Sequence, residues 1–239
     1  MRLSSLLVAC LMFWCSACAT PQLVAPAAPA PGSTPAANGL AYLALGDSYT
    51  IGEGADAADR WPMQLAGLLS QPGAVVAAPT LIARTGWTTA ELQAAIADAR
   101  NQQTYGLVSL LIGVNNQYRG QSAAQYRTEF RALLQTAVAF AGGRPERVFV
   151  LSIPDWGQSP YGQRQSRDPA TIAAEIDQFN AVAQDECRQA RIAYVDITPE
   201  TRAAVGDASQ FTRDGLHYAG SQMRRWAEKA LPMVQAVLK

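Results

Sequence analysis

Residues 40–50 read LAYLALGDSYT. The first six form a short apolar run, which is typical of a strand that is buried on both faces of a parallel sheet. A glycine follows at once, and Asp47 and Ser48 belong to residue types that often begin helices. The sequence therefore predicts a strand over 40–45, then a tight turn, then a helix that starts close to Ser48.

The same alternation continues to the C-terminal end of the chain. Further apolar runs predict strands at 75–82, 107–112, 148–153 and 192–197. Helical periodicity lies between and after them, at 61–69, 89–100, 122–140, 169–189 and 221–238. Alternating strands and helices predict one α/β domain with a parallel sheet that is covered by helices on both faces. Such sheets bind ligands beyond the carboxyl ends of their strands, so we expect the chemistry in the loops that follow the strands.

The N-terminal 19 residues predict an export signal. Arg2 precedes an apolar stretch over 6–14 that is too short to span a bilayer, and small residues follow it. Two processing sites remain open. Ala-Cys-Ala at 17–19 suits ordinary signal cleavage, whereas Ser-Ala-Cys at 16–18 resembles the end of a bacterial lipobox, with Cys18 as the lipidated residue. We favour lipidation of Cys18, and we predict secretion across the inner membrane, to the periplasm or as an envelope-anchored lipoprotein.

The segment that follows is rich in proline and alanine. It has too few large apolar side chains to form a core, so it predicts an extended linker. Behind a lipid anchor, this linker would hold the domain away from the membrane surface. The predicted organisation is thus a signal peptide at 1–19, a linker at 20–38 and an α/β domain at 39–239.

The composition excludes several classes of site. The chain carries 19 basic and 19 acidic residues, so its net charge of zero does not provide the basic surface that nucleic-acid binding needs. His217 is its one histidine, and Cys187 is its one cysteine after residue 18. A histidine-rich metal site and an internal disulfide in the processed protein are thereby excluded. We expect no nucleic-acid partner, no metal and no cofactor, and membrane contact through the lipid anchor alone.

Three loops carry the residue types that acyl transfer needs. Ser48 follows the first predicted strand and Asn115 follows the third, while Asp214 and His217 precede the last helix. Singly, these are common turn and capping residues. Together, Ser48 supplies a hydroxyl, His217 a base, and Asp214 a carboxylate that orients the imidazole. The backbone N–H of Ser48 and the side-chain amide of Asn115 are donors for an oxyanion.

Four segments resemble the blocks of the SGNH, or GDSL-type, hydrolases, in that family's order: GDSY at 46–49, RTGWT at 84–88, GVNN at 113–116 and DGLH at 214–217. Tyr49 stands where the first block usually has leucine, and Asn116 stands where the GxND block has aspartate. Both departures lie beside catalytic positions, so they bear on substrate preference more than on activity. We place Asn115 and Asn116 on an extended segment, where adjacent side chains point opposite ways and only Asn115 faces the reaction.

The resemblance implies a flavodoxin-like, three-layer α/β/α sandwich with a five-stranded parallel sheet. It implies hydrolysis of carboxylic esters without a metal, with Ser48 as the nucleophile of a triad that includes Asp214 and His217. It also implies an oxyanion hole formed by Ser48, Gly86 and Asn115.

Two tryptophans are candidate substrate-lining residues. Trp156 follows the fourth predicted strand, and Trp87 lies next to Gly86 in the second block. They do not identify the natural substrate, which we expect to be a small-molecule, polysaccharide or lipid ester.

Three alternative functions are compatible with the sequence. The main prediction is a serine hydrolase of the cell envelope that cleaves carboxylic esters through an acyl-serine intermediate. The same site is able to pass the acyl group to an alcohol, as an acyltransferase does. A third alternative, from a different class, is a non-catalytic envelope-binding lipoprotein. The combination of Ser48, Asp214 and His217 argues against the third alternative, because a binding module has no need of it.

Overall fold

The computed structural model of the protein describes residues 39–70 and 75–238. The predicted signal peptide, Cys18 and the predicted linker lie outside the described residues. Among the described helices, none is both long enough and apolar enough to cross a membrane.

The described chain contains seven short strands: β1 (Gly39–Leu40), β2 (Tyr42–Gly46), β3 (Val75–Val76), β4 (Thr80–Ala83), β5 (Leu107–Leu111), β6 (Val148–Leu151) and β7 (Ala193–Val195). Five of them form one parallel sheet in the order β4-β2-β5-β6-β7, and β1 pairs with β3 in a separate two-stranded sheet. The five-stranded parallel sheet confirms the predicted α/β fold.

Eight α-helices connect and cover the described strands: α1 (Ser48–Ile51), α2 (Trp61–Leu69), α3 (Thr89–Ala99), α4 (Val114–Tyr118), α5 (Ala123–Phe140), α6 (Pro169–Ala190), α7 (Thr198–Arg202) and α8 (Gly220–Leu238). α2 packs against α8, and α5 packs against α3 and α6, which forms the two helical layers of the sandwich. The five long helices confirm the predicted periodic segments. α4 and α7 were not predicted, because five residues are too few to show a helical period.

The prediction of a single strand at 75–82 is wrong. Ala77, Ala78 and Pro79 separate β3 from β4, since proline has no N–H to donate to a sheet ladder. β4 then forms one edge of the five-stranded sheet and is partly exposed, instead of being buried on both faces.

The register of the sheet places the ends of three strands side by side. Gly46, the last residue of β2, is aligned with Ala83 at the end of β4 and with Leu111 at the end of β5. The loops that follow these residues leave the sheet at the same level and next to one another. Three of the four motif segments therefore meet at the carboxyl end of the sheet.

The core lies against the inner strands of this sheet. Every residue of β2 and β5 is buried, and Trp61 of α2 and Trp226 of α8 are fully buried as well. Burying a large apolar side chain contributes about 1.5–3 kcal/mol relative to leaving it exposed. The ends of β2 and β5, which lead to Ser48 and Asn115, are therefore anchored in the buried core.

Candidate active site

The turn between β2 and α1 presents Ser48 at the end of the sheet. Gly46 has no side chain there because a Cβ would collide with the Thr50 hydroxyl and with the Leu111 carbonyl oxygen. Asp47 caps α1, since its Oδ1 accepts a hydrogen bond of 3.0 Å from the backbone N–H of Tyr49. Ser48 follows as the first helical residue and is 5% exposed. The glycine and the aspartate thus each have a physical role in presenting Ser48.

The loop before α8 holds His217 through Asp214. Oδ2 of Asp214 lies 2.6 Å from Nδ1 of His217, and Oδ1 accepts hydrogen bonds from the backbone N–H groups of Leu216 (2.8 Å) and His217 (3.0 Å). Gly215 adopts a φ of 69°, which glycine tolerates without a steric penalty, and this conformation turns the chain back on itself. With Nδ1 engaged by the carboxylate, Nε2 is the nitrogen left to accept a proton.

The hydrogen bonds around Asp214 keep it charged. Its partial burial by itself would raise the pKa of the carboxyl. The hydrogen bonds from His217, from the backbone N–H groups of Leu216 and His217, and from the Thr212 hydroxyl outweigh burial and lower the pKa of Asp214 to about 2. Asp214 is therefore a carboxylate at neutral pH.

Ser48 and His217 line one cavity of about 230 Å³. The imidazole packs edge-on against the Tyr49 ring at a centroid distance of 5.7 Å, and it is buried apart from its face toward the cavity. Ser48 and His217 are not hydrogen-bonded to each other in the described structure. Such catalytic contacts often form only when substrate binds.

All of the predicted oxyanion donors also line this cavity. Gly86 follows β4 with a φ of 87°, and Asn115 projects from α4. Nδ2 of Asn115 donates to the Trp87 carbonyl oxygen over 2.9 Å, which ties α4 to the Gly86 loop. A primary amide carries two N–H groups, so one of them remains for a ligand.

The predicted extended segment at Asn115 and Asn116 is wrong, because both residues lie on α4. Consecutive side chains on a helix are about 100° apart, since a turn takes about 3.6 residues. Asn115 therefore reaches the cavity, while Asn116 is fully buried beside Thr89 and Gln121. The two side chains have different surroundings, as predicted, but the cause is their separation of about 100° around a helix and not the alternation of an extended strand.

The two tryptophans have different places. Trp156 is 2% exposed and lines the cavity, and its indole N–H donates to Oε1 of Gln117 over 2.8 Å. Trp87 is not among the described residues that line the cavity, and it contributes its carbonyl oxygen to Asn115 instead.

Six further residues line the cavity that were not predicted as site residues, and most of them are aromatic or aliphatic: Tyr49, Thr85, Val114, Tyr118, Tyr161 and Leu216. Tyr118 and Tyr161 are the largest of those that no sequence pattern indicated. Both pack on Trp156, with ring centroids 5.4 Å and 6.4 Å from the indole.

A family model matches residues 44–223, and its description is GDSL-like Lipase/Acylhydrolase family. The match includes Ser48 and His217. The chain belongs to this family. As a GDSL-type enzyme it is a carboxylic ester hydrolase, which confirms the resemblance seen in the four motif segments.

Solved structures of other proteins share the fold of this GDSL hydrolase. TesA is 21% identical, with a TM-score of 0.65 over 82% of this chain and 99% of that chain. The psychrotrophic esterase EstA from Pseudoalteromonas sp. is 15% identical, with a TM-score of 0.61 over 82% of this chain and 97% of its own. Axe2, an acetylxylan esterase from Geobacillus stearothermophilus, is 18% identical, with a TM-score of 0.62 over 82% and 94%. No curated protein matches the chain at a significant level.

Asp47 is a buried acid directly beside Ser48 of the GDSL hydrolase. Its Oδ2 has no hydrogen-bond partner in the described structure. Burial raises the pKa of Asp47 to about 7, although the Tyr49 N–H acts in the opposite direction. An aspartate in an unfolded chain has a pKa of about 3.9. Between about pH 4 and 7 the unfolded chain loses this proton while the folded chain keeps it, so Asp47 destabilises the fold progressively as pH rises.

Asp47→Asn is therefore expected to stabilise the enzyme relative to the parent by an amount that grows as pH rises from about 4 to 7. Asparagine keeps the helix cap but does not titrate. Urea unfolding of both proteins at several pH values in this range measures the difference. A difference that is independent of pH, or that shrinks as pH rises, would contradict the raised pKa.

Proposed function

We propose that the chain hydrolyses esters through an acyl-Ser48 intermediate, with His217 as general base. The observation that carries the proposal is the 2.6 Å contact between Asp214 and Nδ1 of His217, on a histidine that shares its cavity with Ser48. This arrangement fixes the imidazole with Nε2 free. It is the orientation that a base needs in order to take a proton from a hydroxyl.

The proposed reaction has two halves. Oγ of Ser48 attacks the ester carbonyl carbon while its proton passes to Nε2 of His217. The resulting imidazolium then gives this proton to the departing alkoxide, which leaves as the alcohol. In the second half, a water molecule loses a proton to His217 and attacks the acyl carbon. The carboxylic acid departs as Oγ recovers its proton.

The oxyanion donors and Asp214 stabilise the charges that develop in each half. The backbone N–H groups of Ser48 and Gly86 and the free N–H of Asn115 would donate to the negative carbonyl oxygen. Asp214, which is charged because its pKa is about 2, stabilises the imidazolium without taking up a proton itself.

The cavity favours a short and uncharged acyl group. Its volume of about 230 Å³ is below the range of roughly 300–1,000 Å³ that is typical of pockets for drug-sized ligands. Of the described residues that line it, none is an Asp, Glu, Lys or Arg, and four are aromatic: Tyr49, Tyr118, Trp156 and Tyr161. An acyl group that carries a charge would lose its hydration there without gaining a partner.

Chromogenic esters of increasing acyl length test this function. We expect kcat/KM to be highest for acetyl and butyryl esters and to fall for octanoyl and palmitoyl esters, because the longer chains extend beyond the cavity. The Ser48→Ala variant gives the background rate for each ester, and product analysis with added alcohol measures transfer against hydrolysis. Highest activity on the palmitoyl ester would contradict the proposed acyl size, and equal rates for parent and variant would contradict the function.

We also propose that the enzyme acts in the cell envelope as a lipoprotein, on the basis of the apolar stretch and the lipobox-like Ser-Ala-Cys segment that ends at Cys18. Cys18→Ser is then expected to move the protein from the membrane fraction to the soluble envelope fraction. Cell fractionation of the two proteins measures this. A parent protein that is already soluble and begins at Thr20 would show ordinary signal cleavage instead.

A further inference from the structure

A partly buried polar cluster lies behind the loop that carries Gly86 and the helix α4 that carries Asn115. It consists of Asn116 on α4, Thr89 at the start of α3, Gln121 before α5 and Glu129 on α5, and we call it the Glu129 cluster. Asn116 and Thr89 are both fully buried, whereas Gln121 and Glu129 are half-buried. None of these four side chains lines the cavity, so the reaction described above does not use them.

Asn116 joins α4 to the first residue of α3. Its Oδ1 accepts a hydrogen bond of 3.1 Å from the backbone N–H of Thr89, which is one of the N–H groups that a helix start leaves without an internal partner. Its Nδ2 donates to the Thr89 hydroxyl over 2.6 Å and also to Oε1 of Gln121. The oxygen and both N–H groups of this buried amide are therefore used within the cluster.

Glu129 is the final acceptor of the cluster. The Thr89 hydroxyl donates to its Oε2, and Nε2 of Gln121 donates to its Oε1 over 2.9 Å. Gln125 adds a third hydrogen bond of 2.8 Å from the solvent side. Burial by itself would raise the pKa of Glu129, but these three hydrogen bonds outweigh it and lower the pKa, so the group is a carboxylate at neutral pH.

The cluster connects the supports of two oxyanion donors. Thr89 lies three residues after Gly86, and Asn116 is the neighbour of Asn115 on a single helical turn. A shift of Thr89 relative to Asn116 would therefore change the separation of the two donors. Arg119 adds to this connection, since it donates to the Gly86 carbonyl oxygen over 2.6 Å from the end of the same helix.

We propose that Glu129 is a positioning residue that fixes the distance between Gly86 and Asn115. It acts through the hydrogen bonds of Thr89, Gln121 and Asn116. In this chain it supplies from α5 the carboxylate that the GxND block carries at the position of Asn116. The proposal rests on the proposed function, because it concerns the oxyanion donors of that same site.

The geometry leaves room for one carboxylate in the cluster. Asn116→Asp would place a second one opposite Glu129, with the Thr89 hydroxyl hydrogen and the Gln121 amide between them. Two carboxylates that share one site repel each other. Glu129→Gln would remove the first, and the Gln121 amide can then turn over so that its NH₂ group faces the introduced carboxylate. The two substitutions should therefore compensate each other.

A double-mutant cycle tests the proposal with Asn116→Asp, Glu129→Gln and the combined variant, measured as kcat, KM and midpoint of thermal unfolding. We expect Asn116→Asp to lower kcat by up to about 10²-fold with little change in KM, since a misplacement of about 1 Å can cost that much. Glu129→Gln should lower kcat to a smaller extent, again without changing KM. The combined variant should recover most of the kcat that Asn116→Asp loses.

Glu228→Gln is the matched control. Glu228 is an exposed ion-pair partner of Arg224, so this variant should keep the parental kcat.

Two results would overturn the proposal. One is a combined variant that is no better than Asn116→Asp. The other is a set of variants that unfold at lower temperature while kcat stays parental, since the cluster would then have only a structural role. If Asn116→Asp does not fold, Glu129→Gln alone tests the proposal. A lower kcat with an unchanged KM supports a positioning role, and a parental kcat contradicts it. If the parent shows no esterase activity, the proposed function fails. The unfolding midpoints of the single and combined variants then still show whether the effects of the Glu129 and Asn116 substitutions compensate each other or simply add.

Discussion

Ser48→Ala is expected to lower kcat on a short-chain ester by about 10⁶-fold, the size of effect seen when a serine hydrolase loses its nucleophile. Ser48 lines the cavity together with His217, and no other described serine does so. A small residual rate should remain, because the oxyanion donors still act on bound substrate. Since alanine is a good helix former, the variant should unfold at nearly the parental temperature.

Ser166→Ala is the matched control for this variant. Ser166 is exposed and does not line the cavity, so the control should keep parental kcat and KM. Initial rates of the three proteins on a butyryl ester, with active protein quantified beforehand, measure the effect. Near-parental turnover by Ser48→Ala would mean that another group is the nucleophile.

His217→Gln is expected to lower kcat to a similar extent, about 10⁶-fold, because nucleophile and base act as one unit. His217 is the one histidine of the chain, so no second imidazole can take over the role of base. For the same reason, the combined Ser48→Ala and His217→Gln variant should be no slower than either single variant. Independent contributions would instead multiply the two losses.

The pH profile adds a separate test of the histidine. The imidazole must be neutral to accept a proton, so kcat/KM of the parent should rise with pH on the acid side of its profile. This rise should be absent from the residual activity of His217→Gln. A variant with parental rates and an unchanged profile would show that His217 has only a structural role.

The fold was largely predictable because local patterns and tertiary packing agree along most of the chain. The long helices combine an apolar face with a start signal, such as the Thr88–Glu91 capping box of α3 or Asp168 before Pro169 in α6. The segment at 75–82 was mispredicted because its apolar composition outweighed Pro79 in the prediction. Proline cannot donate to the hydrogen bonds of the sheet, so the strand is interrupted there. The short helix α4 was missed because its five residues are too few to show a helical period.

The candidate site was predictable where the chemistry lies within one segment. Asp214 and His217 are three residues apart, and their contact follows from one loop. The Glu129 cluster could not be predicted, because Asn116, Thr89 and Glu129 lie on three different helices and their sequence separation carries no signal. The same limit applies to Tyr161, which reaches the cavity from a loop that has no recognisable motif.

An active-site-directed phosphonate ester tests the central claim most directly, because it forms a stable tetrahedral adduct on an activated serine. Intact mass followed by peptide mapping should show one adduct per chain, located on Ser48, and labelling should be absent in Ser48→Ala and slow in His217→Gln. Ser166→Ala should label like the parent. An adduct on a different serine, or continued labelling of Ser48→Ala, would contradict the assignment of Ser48 as the nucleophile.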